Sequence, residues 1–216
     1  WLGTLGAPKT VSVIPGNHDA YVAVPWEASL AKWQPFMQGD DGEAAERSEG
    51  FPYLRYRGPL AIVGLSSAQP TPLFCAHGTL GEAQLSRLGT LLRRLGQEGR
   101  FRVVMLHHPP SLERIVWRKR LVDAAAFRRV IAESGAELVL HGHDHTFGHE
   151  TVEGRDGPVP VLGIPSASAA ASGRKPLAHY QLYSIAKAGK GWDVEVMVRG
   201  YDPASGRFAE TRNYAL

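Results

Sequence analysis

The sequence predicts a layered α/β sandwich with a mixed sheet, and two observations carry that class. Through Leu140, short apolar runs of strand length alternate with stretches whose leucines recur at helical spacing; after Leu140 the runs are strand-like and separated by turns. No internal repeat and no Gly/Pro/Ser-rich linker divides the chain. Its 216 residues are therefore expected to form one domain over 1–216, long enough to bury a core.

The elements follow in order. Thr10 to Ile14 is expected as a buried strand that ends at Pro15 and Gly16. Pro25 opens a helix presenting Trp26, Leu30 and Trp33 on one face, which Pro35 stops or kinks. Asp40 to Gly50 is polar and predicts a surface loop, and Leu60 to Leu65 a second strand. Thr79 and Glu82 have capping-box spacing, and Leu85, Leu88, Leu92 and Leu95 then mark one helical face up to Gly96. Arg102 to Leu106 is a third strand. Asp123 is placed to cap a helix with Phe127, Val130 and Ile131 inward and Gly135 as its stop, and the strand Glu137 to Leu140 follows at once. Val159 to Ile164, His179 to Ile185 and Trp192 to Val198 complete the strands, with turns at Lys187 to Gly191 and at Asp202-Pro203.

Composition narrows the function classes. With 24 Lys+Arg against 21 Asp+Glu, a net charge of +3, 44% hydrophobic and 21% charged residues, the chain is neither a disordered tail nor a fibrous repeat. No stretch approaches the roughly 20 apolar residues of a bilayer span, so no membrane partner is expected. The single cysteine, Cys75, excludes an internal disulfide and fits a reducing cytoplasm, the expected location. The slight positive bias suits a small anionic substrate. The densest basic cluster, Arg118-Lys119-Arg120, has the character of a solvated helix start and not of a basic stripe, so a nucleic-acid polymer is not an expected partner. The opening Trp1 to Gly6 lacks a start methionine and a signal-peptide pattern, and the chain is expected to begin inside a longer protein.

The chemistry lies in histidines. Six of the nine fall in three short motifs, each just beyond a predicted strand: Gly16-Asn17-His18-Asp19, His107-His108-Pro109-Pro110 and His141-Gly142-His143-Asp144-His145. Ligands bind at the carboxyl ends of strands in open α/β sheets, so the three motifs should converge on one cleft. Imidazoles gathered with an amide oxygen suit a divalent cation. Asn17 can offer its oxygen, while His18, one residue on, can face the reaction instead. His143 and His145, two apart in an extended loop, would point the same way and reach adjacent cations or share one. His108 and His141 are motif neighbours that either bind or orient a ligand, Asp19 and Asp144 are supporting partners, and His77, His149 and His179 have the character of structural residues.

These ordered motifs resemble the calcineurin-like metallophosphoesterase superfamily, in particular its bacterial phosphodiesterase-like members, from about Val11 to His145. The resemblance implies an αββα sandwich with mixed sheets. It implies two divalent cations of Mn, Fe or Zn, with Asn17, His107 and His143 on one, His145 on the other, and His18 as general acid or transition-state stabiliser. It also implies hydrolysis of phosphate esters, phosphodiesters above all, by a metal-activated hydroxide. Family members carry an Asp-x-His motif and a Gly-Asp-x-x-Asp or Gly-Asp-x-x-Asn motif ahead of the Gly-Asn-His motif, but only 15 residues precede Gly16 here. The chain is therefore expected to lack the first strands of the domain and the ligands on them, and to be inactive alone. Two rivals stand beside this expectation: a non-catalytic protein-binding scaffold of the same fold, and a mononuclear zinc hydrolase using His107, His143 and His145.

Overall fold

The computed structural model describes residues 1–40, 50–111, 116–169, 176–189 and 191–216. After the single-turn helix α1 (Leu2–Leu5) come three 3-10 turns (Asn17–Asp19, Trp26–Ala28 and Leu30–Phe36), then the strands β1 (Tyr53–Arg57) and β2 (Leu60–Gly64). Helix α2 (Glu82–Gln97) leads to β3 (Phe101–Met105), a 3-10 turn at Trp117–Lys119 and helix α3 (Ala124–Ser134). Six strands finish the chain: β4 (Leu138–His141), β5 (Gly148–Val152), β6 (Val159–Gly163), β7 (His179–Ala188), β8 (Gly191–Asp202) and β9 (Arg207–Ala215).

A six-stranded mixed sheet has the order β1-β2-β3-β4-β6-β5, in which β2, β3, β4 and β6 are parallel and the two edge strands antiparallel. Alternation along the central strands divides their side chains between two faces. Val63, Val104, Val139 and Val161 pack with Leu88, Leu92 and Leu95 of α2 and with Phe127 and Ile131 of α3. Phe101, Val103, Leu138 and Leu162 point the other way, against Val194 and Val196 of the antiparallel sheet β7-β8-β9. The result is the expected α/β sandwich with a mixed sheet. Each fully buried leucine of α2 contributes roughly 1.5–3 kcal/mol of apolar burial. No helix among the described residues is long and apolar enough to cross a membrane.

Several local expectations are corrected. Thr10 to Ile14 is no strand: among the described residues it pairs with none. Side chains meet the backbone of this stretch and of its neighbours instead. The Arg55 guanidinium, buried on β1, donates to the carbonyls of Pro8 (2.8 Å), Val11 (2.6 Å), Pro35 (3.0 Å) and Gln38 (2.7 Å), and Tyr53 Oη donates to Val13 (2.8 Å). The helix after Pro25 is two 3-10 turns with Pro35 inside the second, yet Trp26, Leu30 and Trp33 do share a face, packed on Met37, Phe51 and Tyr53.

The capping box of Thr79 and Glu82 does not form either. The cap of α2 is Gly81, and the first amides, from Leu80 and Gly81, donate to the Asp123 carboxylate at 2.9 and 2.8 Å. Asp123 therefore does not cap its own helix with its side chain, although it stands at the N-cap of α3. Gly135 does end α3, with φ of +79° that a glycine adopts freely. Strands β1, β5 and β9 were not expected from the sequence, and the loop expected over Asp40 to Gly50 lies mostly outside the described residues.

Candidate metal centre

The carboxyl ends of the parallel strands β3 and β4 deliver the second and third histidine motifs to the same end of the sheet, and the first 3-10 turn brings Asn17 against them. Asn17 Oδ1 lies 2.8 Å from His107 Nε2 and 3.2 Å from His143 Nδ1, and those two nitrogens are 3.3 Å apart. Three residues separated by up to 126 positions thus aim their donor atoms at one point.

Each donor is held from behind. The Asn17 amide nitrogen donates to Tyr21 Oη at 2.5 Å, which turns the amide oxygen toward the histidines. Asp19 closes the turn by accepting from the Gly16 amide at 2.8 Å. Position 16 has to be glycine because a Cβ there would stand 2.8 Å from the His107 ring. His143 has φ of +70° and His145 +58°, a left-handed conformation that costs a non-glycine residue roughly 1–3 kcal/mol. The loop is therefore not the extended one expected. His143 turns inward to Asn17, and the exposed His145 stands near enough for its charge to act on both His107 and His143.

The electrostatics favour neutral rings. Burial, reinforced by the neighbouring His143, His145, His18 and His141, pushes His107 down to about 3. Burial also holds His143 below the ordinary histidine value, against the opposing pull of Asp144. Neutral imidazole with a free lone pair is the form that binds a cation.

The donor set fits a divalent cation. Three N or O atoms bound to one such ion at about 2.0–2.2 Å stand roughly 3–3.5 Å from one another, close to the three separations observed. As hydrogen bonds they match less well, since two imidazole N–H groups directed at one oxygen would repel each other. Among the described residues His143 Nε2 is moreover buried without a hydrogen-bond partner. Among the described residues no three His, Cys, Asp or Glu side chains form a metal-holding group, because the third donor here is an amide.

The remaining candidates separate cleanly. His18 is exposed at the mouth, its ring edge-on to Tyr21 with centroids 4.7 Å apart, near enough for its charge to act on His107. His108, left open by the sequence, is structural: it is wholly buried, with Nδ1 2.7 Å from Ser67 Oγ and Nε2 3.0 Å from the Ala76 carbonyl. His141 is half-buried against its own loop, with Nδ1 3.1 Å from the Gly142 carbonyl. His77, His149 and His179 bind or stack away from the cluster, on Gln69, Tyr214 and Leu177. Sequence reasoning missed the part played by Tyr21, whose signal was its place four residues after Asn17 across a tight turn. It also missed Lys119, whose charge acts on His143.

A family model for calcineurin-like phosphoesterases matches residues 2–147, the stretch that holds Asn17, His18, His107, His143 and His145. The chain belongs to the calcineurin-like phosphoesterase family. A Synechococcus protein described as a probable cyclic nucleotide phosphodiesterase is 31% identical over 171 residues, covering 78% of this chain and 56% of that protein. The chain thus spans little more than half the length of that relative. Among solved structures, GAP50, the anchor in the inner membrane complex of Plasmodium, aligns with 73% of this chain and 49% of its own at 14% identity and a TM-score of 0.37.

Proposed function

We propose that residues 1–216 belong to one domain of a metal-dependent phosphoesterase that cleaves phosphodiesters, whose remaining metal ligands lie outside these residues. The convergence of Asn17 Oδ1, His107 Nε2 and His143 Nδ1 within 3.3 Å carries the reading. These three would hold one divalent cation and His145 would contribute to a second, with Mn, Fe or Zn all suited to amide and imidazole donors. Bound there, the cations supply positive charge that polarises water and neutralises phosphoryl oxygens. The chain's own residues do the rest. Tyr21 fixes the amide of Asn17, the Gly16 turn brings that amide against the His107 ring, and the exposed His18 gives a proton to the departing alkoxide oxygen. The name of the Synechococcus relative makes cyclic nucleotides one candidate substrate class.

The test uses the full-length protein loaded with Mn²⁺ and an aryl phosphodiester. The expected result is turnover that falls at least about 100-fold in kcat/KM on His107→Ala, with loss of bound metal. If the loaded protein cleaves neither an aryl phosphodiester nor an aryl phosphomonoester, the reading falls and the non-catalytic scaffold replaces it.

A further inference from the structure

Seven of the twelve large hydrophobic side chains exposed among the described residues lie on three short segments, residues 20–25, 71–76 and 116–122. The segments are hydrogen-bonded to one another or through their immediate neighbours: the Thr71 amide donates to the Tyr21 carbonyl (3.3 Å), the Ala76 amide to Arg118 (2.8 Å) and the Val122 amide to Gly78 (2.8 Å). They form one continuous surface.

Its tip is the turn Pro72 to Cys75, closed by the Cys75 amide donating to the Pro72 carbonyl at 3.0 Å. At this tip Leu73 is 87% and Phe74 89% exposed. Phe74 also has φ of +63°, a conformation disfavoured for an aromatic residue, so the fold holds a bulky apolar side chain outward in a strained backbone. Beside the tip stand Val116 and Trp117, and Val22 and Val24 extend the patch toward Asn17. Arg118, Lys119 and Arg120 follow directly and are all exposed, with the Arg118 guanidinium 6.0 Å from the centre of the Trp117 ring. The three segments hold these three cations and no acid, and the nearby Asp123 is occupied by the start of α2.

We propose that this surface docks peripherally on an anionic lipid bilayer, with Leu73, Phe74 and Trp117 entering the interface and Arg118, Lys119 and Arg120 meeting the headgroups. Apolar tips with a tryptophan beside a basic collar match the two layers of such a surface, hydrocarbon below and negative charge above. A soluble protein partner would be expected to meet the tip with a pocket and the collar with acids, whereas the tip here is convex and carries one sign of charge.

The test is co-sedimentation of the full-length protein with phosphatidylcholine vesicles, pure or one-third phosphatidylglycerol. The wild type is expected to pellet with the anionic vesicles, less at high salt and little with the neutral ones. Leu73→Ser with Phe74→Ser should cut partitioning about tenfold, and so should Arg118→Ser with Arg120→Ser. Both side-chain pairs are exposed, so unchanged thermal melting is expected in each variant. The proposal is overturned if the wild type stays in the supernatant, if it binds neutral vesicles equally well, or if the tip variant binds like the wild type. It is also overturned if size-exclusion chromatography shows the tip holding two copies together while vesicles are ignored. Vesicle binding is read without substrate or metal, so its outcome stands apart from that of the activity assay.

Discussion

Asn17 divides its side chain between two tasks: the amide nitrogen goes to Tyr21 Oη and the oxygen to His107 and His143. The hydroxyl thereby selects which end of the amide faces the imidazoles, and rotation by half a turn would present N–H groups that no cation accepts. Tyr21→Phe keeps the ring and its edge contact with His18 but releases the amide. Metal affinity should fall about tenfold, the usual size of an outer-shell loss, measured by competition with a chelating dye. An unchanged affinity would show that the turn alone fixes Asn17. The residues of the site were legible as types and order, since His18, His107, His143 and His145 stand in motifs just past predicted strands. Their separation into roles was not legible, because His107 and His108 are neighbours whose difference lies only in which way each ring is turned. Met105 and Leu106 already alternate between the two faces of the sheet, and the same alternation sends His107 to Asn17 and His108 to Ser67.

At the level of elements, long-range side chains replace local ones. Asp123 sits where a sequence pattern makes it the cap of α3, yet its carboxylate holds Thr79, Leu80 and Gly81 at the start of α2. Asp123→Ala should therefore destabilise the fold by about 1–2 kcal/mol, with the loss felt at both helices. Hydrogen exchange would check it: α2 amides near Gln84 and Leu85 should lose protection along with α3, whereas a purely local cap would expose α3 alone. Arg55 acts in the same manner on the N-terminal segment, binding four carbonyls that a neighbouring strand would otherwise satisfy. Amphipathic periodicity found α2 and α3 because their leucines and phenylalanine repeat at the spacing of one buried face. It failed for Thr10 to Ile14, where an apolar run is only half-buried and forms no ladder, and for β5 and β9, which are largely polar strands whose pairing comes from β6 and β8.

Across the whole molecule, the candidate cation joins parts of the chain that the core holds separately. Asn17 belongs to the cluster-flanking N-terminal segment, and His107 and His143 to the ends of β3 and β4. A cation bound to all three should stabilise the fold by about 2.7 kcal/mol when present at 100 times its Kd. For a chain of this size that raises Tm by roughly 5–10 °C. Thermal melts with and without Mn²⁺ would show it, and Asn17→Ala should abolish most of the rise; a rise untouched by the substitution would place the ion elsewhere.

The sequence by itself determined the class of fold and the family, because strand-length apolar runs, leucine spacing and three ordered histidine motifs are local patterns fixed by residue type. Tertiary structure alone decided which histidines meet, which carboxylate caps which helix and which hydrophobic side chains stay outside. Those outcomes depend on contacts between residues up to 126 positions apart and on the left-handed backbone at Phe74, His143 and His145, which no local pattern encodes.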